Sequence, residues 1–260
     1  MSFDLFTEVL QVIEAQFLKI SDSVGPPILT ERNGVPVYRY KEQTVQQALV
    51  QKAARIASGL FAALALLRTG HLQELRAIYR MQDEFADDIV FLGNIITSGK
   101  STDLHDRFLA DFWAEEFDVD GEPFQSSQKR DRISRDKIQA AIARQPEFQV
   151  NPSDGQEVHR TLTKTNSGYV HGASPHIMEM YGGLPEKFHI SGMLGKPPHD
   201  RAVHDATNYF YRGLLMVTHV AFLLQCGAAE TELRQIKDKI EEITGSGQGD
   251  AEQMIRDQKK

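Results

Sequence analysis

Residues 199–226 read HDRAVHDATNYFYRGLLMVTHVAFLLQC, and the reading of this stretch decides the fold. Its second half, Gly213 to Gly227, is apolar enough to suggest a membrane segment. It is shorter than the ~20 residues a spanning helix needs, however, and it contains His219 and Gln225. Pro197-Pro198 precedes the stretch and Gly227 follows it, a proline entrance and a glycine exit. The expectation is a long core helix ending at Gly227. The same helix carries Arg201, Asp205, Asn208, Arg212, Leu215 and His219, which step by three and four residues into one stripe. Polar groups on so apolar a helix are costly if buried without partners. Asp205 follows Arg201 by four residues, the spacing of an ion pair within one helix.

Other helices follow from the same periodicity. Phe6, Val9, Leu10, Ile13, Phe17 and Ile20 mark a first amphipathic helix that stops before Gly25-Pro26-Pro27. Residues 26–43 form a connector with an Asn33-Gly34 turn, and Val35 to Tyr40 reads as a short extended piece that Pro36 confines to an edge. A second helix over Thr44 to Arg68 ends at Gly70, and a third over His71 to Thr97 follows so closely that the two should be antiparallel neighbours. Ser101 or Thr102 caps a fourth helix. A fifth, charged helix is expected over Arg130 to Arg144, its basic residues forming a solvated face. A sixth opens at Ser153 and Gln156, which have capping-box spacing, and a last one covers Thr231 to Ile243. The fold class is all-α: a bundle of about seven to eight helices with little or no sheet, in one domain over residues 1–244, with a polar tail over 245–260.

Composition narrows the function. Among 260 residues, 29 Lys and Arg face 36 Asp and Glu, a formal charge of -7, so there is no overall basic footprint for nucleic acid. The lone Cys226 excludes an intrachain disulfide and a cysteine zinc site, and it suits a reducing compartment. Met1-Ser2-Phe3-Asp4 does not open a signal peptide, and Ile56 to Leu67 is too short to span a bilayer. The expected location is cytoplasmic, without membrane partners. Glu84, Asp87 and Asp88 lack the Glu-x-x-His companions of a di-iron bundle, and Asp118 to Gly121 lacks the later ligands of a calcium loop. Neither a metal nor a cofactor is expected.

Two sets of residues remain as candidates for chemistry. On the sixth helix Arg160, Lys164, Ser167 and His171 fall within a narrow arc, opposite Val158, Leu162 and Tyr169. Two cations, a hydroxyl and an imidazole on one face can hold an anion. Arg212, His219 and Asn208 come from the long helix. If the two stripes face each other, they line one polar cleft.

Arg212 followed after six residues by His219 resembles the Arg-x(4–6)-His signature of HEPN domains, although Gly213 stands where that signature usually has a polar residue. Ser167-Gly168-Tyr169-Val170-His171-Gly172 is similar to a Ser-x-x-x-His-Gly core of bacterial helical proteins, some of them HEPN-like. The resemblance implies a helical bundle, often a homodimer, acting on RNA or nucleotide phosphates. His171, His219 and Arg212 would be its catalytic candidates, and Arg160, Lys164, Ser167 and Asn208 its anion-binding ones. The residues leave three readings open: such an enzyme, a noncatalytic binder of a small anion, and an interaction protein whose stripes are structural.

Overall fold

The computed structural model describes residues 2–32, 34–117, 123–145 and 166–245. Eight α-helices have both ends among them: α1 (Phe3–Asp22), α2 (Val45–Thr69), α3 (Leu72–Ser98), α4 (Asp103–Trp113), α5 (Arg135–Ile142), α6 (Ser174–Met178), α7 (Pro197–Leu223) and α8 (Gly227–Thr244). Residues 166–170 are helical as well. The only strands among the described residues form two small antiparallel hairpins, β1 (Ile28–Arg32) with β2 (Val35–Arg39) and β3 (Tyr181–Gly182) with β4 (Lys187–Phe188). The protein is an all-α bundle.

The caps explain where the helices begin and end. Ser2, Thr44 and Thr102 each accept a first-turn backbone N–H of α1, α2 and α4. Gly70 ends α2 in the left-handed conformation, with φ of 75°. The next helix starts two residues later, so α3 folds back antiparallel on α2, and Gln82 of α3 donates to the Ile56 carbonyl of α2. One apolar core joins α1, α2, α3, α7 and α8, with Phe6 and Phe210 rings 4.5 Å apart at its centre. Gly213 of α7 lets the Leu60 side chain of α2 approach where a Cβ would lie 2.6 Å from it. α2, at 25 residues, is long and apolar enough to cross a membrane by length and composition, more than the run Ile56 to Leu67 suggested; half of its most apolar window is buried in this fold.

Three boundaries differ from the expectation. α5 starts only at Arg135, and Arg130 instead reaches Asp111 Oδ1 of α4 at 2.7 Å and Glu116, just after α4, at 2.7 Å. Lys129, Arg132, Lys137 and Arg144 are exposed as expected, but Arg130 and Arg135 are half-buried and answer acids of α4 and α3. At the end of α7 it is Gln225, with φ of 56°, that takes the left-handed turn, and Gly227 instead opens α8 four residues before Thr231. The expected capping box of Ser153 and Gln156 and the tail over 246–260 lie outside the described residues.

The turn at Gly70 also receives the chain entering α7. Met193 N–H donates to the Gly70 carbonyl at 2.7 Å, and the buried His199 ring meets the Leu67 carbonyl at 2.8 Å. A Cβ on Gly70 would lie 2.3 Å from the Leu194 backbone nitrogen, in a conformation that already penalises side chains by ~1–2 kcal/mol. Gly70→Ala should lower unfolding stability by about 2 kcal/mol or more in a denaturant titration, with little change in m.

Candidate functional site

Asp205, Arg212 and His219 of the α7 stripe face α3, while Arg201 and Asn208 are exposed. Asp205 pairs with Arg76 at 2.5 Å, the Tyr209 ring stacks on Tyr79 at 3.7 Å with the planes 1° apart, and Arg212 pairs with Asp83 at 2.8 Å. Further along, His219 and Leu223 lie against Gly93. Contacts advance in the same direction on both helices, so α3 and α7 run parallel. Glycine at position 93 leaves room for the imidazole, since a Cβ there would be 3.4 Å from its Nε2.

The seam is internally balanced, two cations against two carboxylates. Asp83 is deeply buried, and burial raises its pKa while Arg212 opposes that rise. Arg212 also lies over the Tyr209 ring, 5.2 Å from its centroid. Tyr209 donates towards Asp83 at 3.4 Å and accepts from the Asn166 amide at 2.7 Å. Burial, with Asp83 adding to it, pushes the Tyr209 phenol up to about 12. Burial, with Tyr209 and Asp205 adding to it against Arg76, pushes the enclosed Tyr79 higher still above the usual phenol range. Both phenols are therefore proton donors at neutral pH and not bases. His219 is shifted the other way: burial lowers its pKa below the usual 6.5, so it stands neutral.

Residues 166–179 close over the head of this seam. The Tyr169 hydroxyl donates to Glu179 at 2.7 Å, and its ring meets the His176 ring edge-on at 4.4 Å. Gly168 permits that packing, because a Cβ there would lie 2.2 Å from the His176 ring. Gln73 of α3 donates to the His176 carbonyl at 2.8 Å. Beside them opens a cleft of about 500 Å³, lined by Leu72 and Arg76 of α3, by Glu179, and by Pro198, Asp200, Arg201, Ala202, His204 and Asp205 of α7.

The geometry redistributes the sequence candidates. Arg160 and Lys164 lie outside the described residues. Ser167 is half-buried in the helical turn 166–170, and His171 is exposed just after it. Asn208 is exposed, whereas Arg212 and His219 are half-buried along α3. From the 166–170 turn, Asn166 reaches α7 and Tyr169 reaches Glu179 at the cleft. Asp205 does not take Arg201, its neighbour by spacing, but Arg76, 129 residues away. Arg76, Tyr79, Asp83 and Asn166 were not among the candidates; Arg76, Tyr79 and Asp83 step by three and four along α3, the one signal that marked them.

The acids further along α3 are occupied by cations. Asp88, fully buried, pairs with Lys52 at 2.7 Å and Arg135 at 2.6 Å, and Lys52 is also packed among the Phe85, Phe108 and Phe112 rings. Glu84 pairs with Arg80, and Asp87 accepts from Gln139. No group of three metal-binding side chains occurs among the described residues. In comparisons with family models, curated proteins and solved structures, the chain matches none.

Removing Arg212 would leave Asp83 charged in an apolar seam. A fully buried pair costs ~3–5 kcal/mol to break; the Arg212 side chain is 32% exposed, so Arg212→Ala should cost nearer ~2–3 kcal/mol after that discount. Adding Asp83→Asn should restore part of the loss. A double variant no more stable than Arg212→Ala alone would show that the pair is not what holds the seam.

Proposed function

We propose that the protein binds a small anionic ligand, a carboxylate or a phosphate ester, in the cleft at the head of α3 and α7. The observation that carries this reading is the position of Arg201. Its spacing partner Asp205 is captured by Arg76, so Arg201 stands in the cleft wall with no carboxylate partner among the described residues, one turn from the exposed His204. The parallel course of α3 and α7 adds to it. Both helices present their first turns to the same cleft, through Leu72 and Pro198, and two aligned macrodipoles favour negative charge there. Pro197 and Pro198 offer no N–H, so at α7 the attraction comes from the dipole and side chains. Asp200 and Glu179 suit hydroxyl or amine groups elsewhere on the ligand, and Leu72 and Ala202 give an apolar floor.

Inorganic phosphate and citrate are simple probes. At about 100 times Kd, a bound anion stabilises the fold by ~2.7 kcal/mol, a rise in Tm of about 5 °C for a chain of this length. Either anion, compared with chloride at matched ionic strength, should raise the Tm of the wild type but not of Arg201→Ala. A control at the distant, exposed Arg234, Arg234→Ala, should keep the shift. An equal rise in Arg201→Ala would remove the proposal.

A second reading is favoured by the state of His219. A HEPN-like enzyme acting on RNA or nucleotide phosphates would need a neutral imidazole as proton acceptor and an arginine for phosphate charge. Burial supplies the first at His219, and Arg212 lies two turns away on the same helix. Asp83 would have to release Arg212 for that role. Under this reading the wild type cleaves single-stranded RNA and His219→Ala loses at least ~100-fold in rate. His171→Ala tests the Ser-x-x-x-His-Gly element in the same assay. Activity indifferent to both substitutions would exclude the enzyme reading.

A further inference from the structure

The hairpin of β1 and β2 carries four large apolar side chains that are half or more exposed: Ile28 51%, Leu29 60%, Val35 56% and Tyr38 65%. A two-stranded ribbon is marginal on its own in water. Among the described residues no third strand pairs with it. It is tied to the body by Arg39, which holds Glu115 through two hydrogen bonds of 2.7 and 2.9 Å.

The two edges of this ribbon are not equivalent. The register pairs Arg32 with Val35, Thr30 with Val37 and Glu31 with Pro36. Pro36 has no N–H, so Glu31 and Pro36 are a non-hydrogen-bonded pair, and Arg32 with Val35 closes the turn as a hydrogen-bonded one. It follows that Thr30 turns its backbone groups inward to β2, while Leu29 and Glu31 turn theirs outward. On the β2 side, Pro36 removes an outward donor and guards that edge. On the β1 side every outward donor and acceptor is intact.

We infer that the β1 edge pairs with the β1 edge of a second copy of this chain, antiparallel about a two-fold axis through Thr30. In that register Leu29 of each copy exchanges both backbone hydrogen bonds with Glu31 of the other, and the two ribbons become one four-stranded sheet. The neighbouring registers are worse. Centring on Glu31 sets two carboxylates directly opposite each other, and centring on Leu29 places Glu31 opposite Pro27, which has no donor. Centring on Thr30 opposes Leu29 to Glu31 and Ile28 to Arg32, with no like charges face to face. The contact is isologous and closes on itself. Five residues per strand make a small interface, so the dimer belongs to the weak, reversible class and depends on concentration.

Two measurements on the full chain test this. In a Cys226→Ser background, Thr30→Cys should form a disulfide-linked dimer under mild oxidation at ~100 µM. The thiols would face each other across a non-hydrogen-bonded pair with Cα atoms ~4.5 Å apart. Leu29→Cys and Glu31→Cys, diagonal to their own copies, should link much less. Separately, sedimentation should show concentration-dependent dimers for the wild type and a monomer for Glu31→Pro. That proline removes an outward donor and leaves the bonds to β2 intact, so the helical circular dichroism and Tm should not change. A wild type that stays monomeric, equal linking at all three positions, or a dimer that persists in Glu31→Pro would each overturn the inference.

Discussion

The bundle depends on the seam where α3 and α7 run side by side. α7 is too apolar to stand in water and too charged to be buried against hydrocarbon alone. α3 resolves that conflict by offering Arg76 to Asp205 and Asp83 to Arg212, with the stacked Tyr79 and Tyr209 rings between the two pairs. Charges of opposite order on the two helices also fix the register. A shift of α7 along α3 would take Arg212 away from Asp83, and a buried carboxylate left without its guanidinium is costly. Gly93 then lets α3 approach α7, and Gly213 lets α7 approach α2.

The seam's neutrality has a consequence at its head. Each charge within it is matched, and at the start of α7, where the cleft opens, Arg201 is left beside Asp200 and Glu179. Arg201 is left over by the same event that satisfies Asp205. A structural ion pair and a candidate ligand group are thus two outcomes of one choice by a carboxylate between a neighbour in sequence and a neighbour in space. Arg76 wins because it is held in a partly desolvated position, where a charge-assisted bond is stronger than at the exposed surface of one helix.

Much of the architecture was readable from residue pattern. The stop at Gly70, the cap at Thr102, the turn before Val35 and the core role of the stretch around Leu214 all rest on local rules, and each appears in the fold. What pattern did not reveal was which distant residues would meet. Spacing showed that Arg201 can reach Asp205; it carries no information about an arginine 129 residues earlier. The same limit applies to Arg130, which reaches Asp111 instead of opening the expected fifth helix. It applies again to Tyr79, whose ring forms half of the stack at the seam. The polar stripe of α7 was legible as a feature needing partners, but its partners lie on α3, a helix whose acids had been weighed only as metal ligands.

Two helices that point the same way cannot be joined by a tight turn. The chain leaves the far end of α3 at Ser98 and must travel back the full length of the bundle before α7 can begin at Pro197. Among the described residues that return includes α4, α5 and α6, and the parallel course of α3 and α7 fixes where it starts and finishes. The entropy of closing a loop grows only with the logarithm of its length, about 0.6 kcal/mol for each doubling. Phe108 and Ile138 hold α4 and α5 of this path to the core, so a change of length costs least in the turns outside those helices.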